Sequence, residues 1–522
     1  MSGFPSETPP VGGAAAATTG ETVLRGGLWS IAARLIPQAY LFVVSVAAAR
    51  FLGPELFGRQ SFIAFVELSV VMLLAGGLSA AFVRSVGASF GRDQPQAARR
   101  LIRWAWTVEG AAALVGGGAL LAVAAGGAEP SSAWVLAAIA CGLGVLHSVP
   151  SSLLIGVQRW RAASIVGLVT GAFSTVATIA VLAAGGGITG MFAVEAVTAA
   201  VNLAWTGALA RRAADVVAPR GGPLPAEAWR AVRAETWRYA LPASYGVLLT
   251  IVVWRRSEFF LLERYSTETQ IALYSVAFAL LAALIQFPDA VSAALFPAIA
   301  TLFGAGELER IRTGFGRALR LLLLFTLPVT AGALALGPGF VHLVYGEEFR
   351  DAGPVLLIML AVFPLVPLLQ LSKSLLAGLG QLRYQLLAET GAAALAITLA
   401  VLLVPDHGAV GAAIANVAAQ IVAAVLIFAY ALRRIGPVPW NPGTLWRAAL
   451  ASAAAGLAAW AGVSLVESTA GGVLLGLAVG TGVFAALAVA GRILPSDDAD
   501  WLDGIAGARL GGLVGWVCRH CA

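Results

Sequence analysis

The sequence predicts an all-α polytopic membrane protein of about fourteen transmembrane helices, arranged as two six-helix lobes plus two C-terminal helices. Three observations carry that expectation. Composition comes first: 59% of the residues are hydrophobic and 11% charged, with a mean hydropathy of +0.87, where an ordinary soluble domain is about 25% charged. Second, apolar runs of about 20 residues, enough to cross a hydrocarbon core as a helix, recur from residue 27 to residue 493. Third, arginines cluster in every second connection between those runs, the pattern of the positive-inside rule.

Residues 1–24 are rich in Gly, Ala, Thr and Pro. They read as a disordered cytoplasmic leader, without the basic start and apolar stretch of a secretory signal. An N-lobe over 25–210 holds spans near 27–49, 60–83, 102–125, 132–156, 163–184 and 187–210. The connection 211–238 is the longest, contains proline and places Trp229, Val232 and Trp237 on one side. It is expected to lie on the cytoplasmic surface as an inter-lobe linker. A C-lobe over 239–435 follows, with spans near 239–263, 269–299, 318–339, 353–379, 384–404 and 408–431. Pro288 and Pro297 are expected to kink or shorten the eighth. Residues 436–493 hold two more spans, near 445–466 and 471–492. The tail 494–522 spaces Trp501, Leu502, Ile505, Leu510, Leu513, Val514 and Val517 about every three to four residues, as an amphipathic cytoplasmic segment does.

Orientation follows from the arginines. Arg84, Arg92, Arg99 and Arg100 follow the second span, Arg159 and Arg161 the fourth, and six arginines from Arg211 to Arg238 the sixth. Arg310, Arg312 and Arg317 follow the eighth, Arg383 the tenth, and Arg433 and Arg434 the twelfth. The odd-numbered connections carry only Arg50, Arg59, Arg264 and Arg350. Both termini are therefore expected in the cytoplasm of a multi-pass protein of the cytoplasmic membrane. The net charge of +6 is carried almost wholly by arginine, Lys373 being the only lysine.

The most informative residues are Arg255-Arg256-Ser257-Glu258, inside the seventh span. Each charge at the centre of a spanning helix costs about 2.5–3.5 kcal/mol on insertion scales. Such charges face a bundle interior or a water-filled cavity. On an unbroken helix, Arg255 and Glu258 share a face and pair, which leaves Arg256, about 100° away, to meet an anion. Arg34, Glu109, Glu195, Asp289, Lys373 and Glu389 also fall within spans. Arg255, Arg256, Arg34 and Lys373 form a candidate cation ladder for an anionic substrate. Glu258 and Asp289 are candidates for an ion-coupling or charge-partner role. The alternative is that each charge pairs locally and holds helices together.

Soluble-enzyme chemistry has little footing. No GxxxxGK[ST] phosphate loop occurs, and Lys373 stands in Leu371-Ser372-Lys373-Ser374 without the glycines of one. His147, His342, His407 and His520 have no metal spacing, and Cys518-Arg519-His520-Cys521 is a lone CxxC at the chain end. Neither a cofactor nor a catalytic set is expected, nor is nucleic acid a partner.

Four ordered segments carry a family resemblance. Leu52, Gly53, Phe57 and Gly58 follow the first span, and Tyr274-Ser275-Val276-Ala277 lies in the eighth, before Pro297. Gly346, Phe349 and Ala352 precede the tenth, and Gly408, Gly411 and Ala412 open the twelfth. Together they resemble the polysaccharide-biosynthesis flippases of the multidrug/oligosaccharidyl-lipid/polysaccharide exporter superfamily, over roughly residues 22–435. The resemblance implies a two-lobed, V-shaped helical bundle working by alternating access. It would carry an undecaprenyl-diphosphate-linked glycan between leaflets, with cavity cations meeting the diphosphate and, in some members, an ion gradient driving the cycle. Many members carry a single Asp or Arg in the seventh helix, where this chain has four consecutive polar residues. The two extra spans resemble the lipid II flippase arrangement, where they help form a lipid-tail groove. Expected partners are a lipid-linked oligosaccharide, membrane lipids and polysaccharide polymerase or export machinery.

The physical reading agrees, since a diphosphate cannot cross hydrocarbon unpaired and arginine matches phosphate oxygens while staying ionised. Three alternatives remain at the level of sequence. An ion-coupled small-molecule exporter of the same superfamily would prefer acidic cavity residues. A membrane glycosyltransferase or glycan polymerase would need a larger extracytoplasmic loop than the one near 340–352. The fourth reading is a non-transporting partner of a polysaccharide assembly complex.

Overall fold

The computed structural model describes residues 20–92, 94–217, 224–439 and 441–499; the side chains of 20–34, 90, 91, 160 and 297 lie outside that description. Residues 1–19 of the expected leader and 500–522 of the expected tail, with Cys518 and Cys521, lie outside the described residues. Fourteen α-helices and two 3₁₀ turns account for the described chain, with no strand among the described residues. The protein is an all-α polytopic membrane protein.

The first helix, α1 (Gly20–Gly91), carries the first two spans and turns between them at Gly53 (φ 73°, ψ 173°). Only glycine adopts that conformation without strain. Helices α2 (Pro95–Ala125), α3 (Ser131–Gly156), α4 (Trp160–Ala183) and α5 (Gly187–Val217) complete the first half. They pack on α1 and on one another. Helix α6 (Ala226–Trp254) starts in the amphipathic stretch and continues without interruption into the seventh span. That stretch is therefore not a separate linker helix. Its Trp229 and Trp237 pack edge-on against Trp104 of α2, with the Arg100 guanidinium over the Trp229 ring.

The second half comprises α7 (Phe259–Tyr265), α8 (Glu268–Gly304), α9 (Leu308–Tyr345), α10 (Ala352–Leu360), α11 (Val366–Gly378) and α12 (Leu382–Ile435). Helix α8 runs 37 residues as one continuous helix through Pro288, so the expected shortening of the eighth span does not occur. The tenth span is divided: α10 and α11 are separated by a 3₁₀ turn, Phe363–Leu365. Pro364 lies within that turn and Pro367 just after it, and both withhold backbone donors from the helical ladder. Helix α12 holds the eleventh and twelfth spans and turns at Gly408 (φ 51°, ψ −128°). Helices α13 (Pro442–Ser464) and α14 (Thr469–Ala490) pack on each other and on α9.

Among the described residues, ten helical stretches are long and apolar enough to cross a membrane, one of them α10 and α11 taken together. Two of them, α1 and α12, each contain a pair of spans. The interrupted seventh span and α13 fall outside the ten.

The halves meet along α1. On the side of the odd-numbered connections, Arg59 forms ion pairs with Glu263 (2.8 Å) and Glu268. Arg50 donates to the carbonyls of Val344 (2.8 Å) and Leu343 (2.6 Å), and Phe57 packs edge-on against Phe349. On the arginine-rich side, the hydroxyls of Ser85 and Thr236 share a hydrogen bond of 2.9 Å. Below that interface, Asp498 is fully buried, with Arg317 at 3.0 Å and a two-pronged contact from Arg320 at 2.6 and 2.7 Å. It ties the segment after α14 to α9.

Candidate functional site

The seventh span does more than carry charges: it comes apart at them. Helix α6 ends at Trp254, and Arg255 takes an extended conformation (φ −113°, ψ −160°) before α7 resumes at Phe259. The Ser257 hydroxyl turns back to donate to the Val252 carbonyl (2.9 Å), and the Phe259 N–H donates to the Arg256 carbonyl (2.9 Å). Irregular backbone inside a membrane is tolerated where protein buries it or where it lines a cavity.

The break removes the geometry on which an Arg255–Glu258 pair was expected, because the two residues are no longer one turn apart on a helix. No ion pair joins them among the described residues. Glu258 is instead buried in the second half, where its carboxylate accepts from the Tyr274 hydroxyl and from Asn416 Nδ2, both at 3.1 Å. Gln420 Nε2 in turn donates to Asn416 Oδ1 (2.6 Å).

Arg256 lies over two aromatic rings, 5.0 Å from the centroid of Phe278 and 5.4 Å from that of Phe259. Such stacking suits a partly desolvated guanidinium. Arg255 is exposed. Neither has a carboxylate within ion-pair distance among the described residues.

Lys373 has a different setting. Its ammonium lies 2.8 Å from Glu389 Oε1 and 4.4 Å over the Trp254 ring. Trp254 Nε1 and Gln385 Nε2 donate to the same Glu389 oxygen (3.2 and 3.3 Å). Lys373 stands on α11 just after one interruption, and Trp254 is the last residue of α6 before the other. The contact therefore binds the two broken spans together and neutralises the lysine. The side chain of Arg34 lies outside the described residues. Asp289 is half-buried on α8, beside Pro288, whose carbonyl accepts from Ser292 (2.7 Å).

Sequence reasoning passed over three groups. Tyr274 and Asn416 are buried partners of Glu258, and the spacing of Asn416 and Gln420 in an alanine-rich span was a usable signal. Glu67, in the second span on α1, is buried, and Glu195 of α5 is its neighbouring carboxyl.

With this geometry in place, comparison with known proteins is informative. The family model described as polysaccharide biosynthesis protein matches residues 23–303, more than half of the 522-residue chain. The chain belongs to the polysaccharide biosynthesis protein family. A second model, described as lipid II flippase MurJ, matches residues 266–479 of this family member. It therefore reaches α13 and the first half of α14, beyond the twelve-span portion. Sequence comparison with curated proteins gives no significant match.

Among solved structures, the lipid II flippase MurJ in an inward closed conformation superposes with a TM-score of 0.66 at 13% identity, covering 88% of this chain and 98% of that one. An inward-facing multidrug resistance MATE family transporter of the MOP superfamily gives 0.65 at 16%, covering 78% and 98%. A MOP superfamily transporter from Pyrococcus furiosus gives 0.59 at 16%, covering 80% and 96%. At these identities the likeness establishes the fold, that of the MOP superfamily transporters, for this member of the polysaccharide biosynthesis protein family.

Proposed function

We propose that this protein is a flippase that carries a polyprenyl-diphosphate-linked oligosaccharide across the cytoplasmic membrane for cell-surface polysaccharide biosynthesis, with both termini in the cytoplasm. The observation that carries the reading is the interrupted seventh span, which holds Arg255 and Arg256 without a carboxylate partner among the described residues. A charge within a membrane span is costly unless something compensates it, so two adjacent cations there, Arg255 exposed and Arg256 half-buried, favour a role in which an anion arrives. Discontinuous spanning helices are where transporters of several folds place their substrate. A diphosphate supplies both the charge and the oxygen geometry that a guanidinium fork matches.

In this reading Arg255, exposed, meets the diphosphate first, and Arg256, seated on Phe278 and Phe259, holds it at the break. Arg34 on α1 would add a cation from the opposite half. Lys373 would contribute only after exchanging Glu389 for the substrate, because that carboxylate now occupies its ammonium. Glu258 holds the break to α8 and α12 as a hydrogen-bond acceptor, and Asp289 is a candidate coupling group. No bond of the substrate is made or broken, so no catalytic residue is assigned. Membrane lipids and polysaccharide polymerase or export machinery are the proposed partners.

The test is complementation of a flippase-deficient strain. Arg256→Ala is expected to abolish it while membrane insertion stays normal; full complementation would overturn the assignment. A second reading, ion-coupled export of small molecules, draws on Glu67 and Glu195, two carboxyls within spans on α1 and α5, since intramembrane acidic groups are the kind that serve proton or cation pathways. Drug resistance conferred on a sensitive host and lost in Glu67→Gln would favour it.

A further inference from the structure

The interrupted span borders an apolar crevice that the substrate reading leaves without an occupant. It has a volume of about 410 Å³ and lies between α1, the α6–α7 break and the first half of α12. Its walls include Val66 and Leu73 of α1, Leu248 of α6, Phe260 of α7 and Val401 of α12. Of these, Leu73, Leu248, Phe260 and Val401 are exposed, so the crevice opens sideways where bilayer lipid lies. Ser69, Ala396 and Ala400 are the small residues of its lining. One end reaches Ser257 and Glu258, next in the chain to Arg255 and Arg256.

From Val66 to Leu73 the crevice runs about 10 Å at 1.5 Å per residue. That length takes the beginning of a long chain rather than all of it. The volume is within the range of ligand sites, and the small residues leave width for methyl branches that a straight acyl chain lacks. Hydrocarbon walls leading to two cations with no carboxylate partner among the described residues match a ligand that is isoprenoid at one end and anionic at the other.

We propose that this crevice between α1, the α6–α7 break and α12 binds the diphosphate-proximal isoprene units of the polyprenyl substrate while its diphosphate lies at Arg255 and Arg256. The proposal rests on the flippase reading and adds to it the site of the lipid chain. It places that chain here rather than on the α13–α14 pair.

The full-length protein, carrying a photo-reactive amino acid at Leu73, is reconstituted in phospholipid vesicles containing undecaprenyl diphosphate. After irradiation, the attached lipid is identified by mass spectrometry. The expected product is an undecaprenyl adduct at Leu73, with a far lower yield from the same residue placed at Leu457 on α13. Phospholipid adducts only at Leu73, or prenyl adducts confined to Leu457, would overturn the proposal. Filling the crevice with Ala400→Trp should lower the Leu73 prenyl yield about tenfold, because the indole takes the space in which the isoprene units would pack and about 1.4 kcal/mol of lost packing is tenfold in binding. The smaller Ala396→Val serves if the tryptophan variant fails to fold, with a loss in the same direction; an unchanged yield in a folded variant contradicts the site. Arg255→Ala/Arg256→Ala separates the two levels. If it leaves transport intact, the placing of the diphosphate at these arginines fails whatever the crevice binds; if it stops transport while Leu73 of the protein with both arginines captures no prenyl chain, only the crevice proposal fails.

Discussion

At Gly58 the two halves approach closely backbone to backbone, and replacing it should force them apart. A Cβ built on Gly58 would lie 1.9 Å from the Glu268 carbonyl oxygen and 2.6 Å from its carbon. Ordinary contact begins near 3.4 Å, so the start of α8 must retreat by about 1.5 Å, the difference between 3.4 and 1.9. The obstacle is backbone, which cannot swing aside as a side chain can. Overpacking of this kind costs about 1–3 kcal/mol, which is about 5–150-fold in a two-state equilibrium. The neighbouring Arg59 ion pairs are partly solvated, and exposed pairs contribute about 0–1 kcal/mol. Gly58→Ala should therefore open this side more than Arg59→Ala does. The assay is labelling of a cysteine introduced at Gln270 with a membrane-impermeant maleimide, in a background lacking Cys141, Cys518 and Cys521. Unchanged labelling and transport in Gly58→Ala, with a larger effect from Arg59→Ala, would refute the steric argument.

Three further outcomes are expected. Asp498→Ala leaves Arg320, only 11% exposed, without its buried carboxylate; it should lower stability by about 3–5 kcal/mol, read as an earlier thermal transition of the purified protein. Lys373→Met should destabilise by a similar amount because Glu389 stays buried and unpaired. Lys373→Met/Glu389→Gln should recover most of that loss, and a double-mutant cycle with no coupling would refute the pairing. Cysteines placed in 84–100 and in 211–238 should react only with membrane-permeant reagents, and labelling in intact cells by an impermeant one would reverse the proposed orientation.

Much of the fold was legible because membrane spans announce themselves through length and hydropathy. Gly53 and Gly408 could be read as turns because positive φ leaves few other choices. What the sequence concealed were effects of position in space. The amphipathic stretch around Trp229 looked like a linker because its apolar side had no visible partner; Trp104, more than a hundred residues earlier, provides one. The tenth span counted as a single apolar run, and its 3₁₀ turn follows from where Pro364 and Pro367 fall relative to the cluster around Phe363.

At the candidate site, the cost of Arg255-Arg256-Ser257-Glu258 was visible, but the backbone break was not. Helical spacing put Glu258 beside Arg255; once the helix opens, tertiary partners Tyr274 and Asn416 decide where that carboxylate goes. Lys373 and Glu389 illustrate the local-pairing alternative that intramembrane charges always carry. Glu67 was accessible to the same rule that flagged Glu195, since both lie within spans.

The central claim is that Arg255 and Arg256 at the broken seventh span accept the diphosphate of a lipid-linked glycan. The most direct measurement is leaflet-to-leaflet movement of a fluorescent polyprenyl-diphosphate glycan in proteoliposomes, read by accessibility to an external quencher. Wild-type protein should move it, Arg255→Ala/Arg256→Ala should reduce the rate to that of empty vesicles, and the folded Lys373→Met/Glu389→Gln variant should retain transport to a greater extent. Equal rates for wild type and the double-arginine variant, or equal transport of a lipid lacking the diphosphate, would contradict the account.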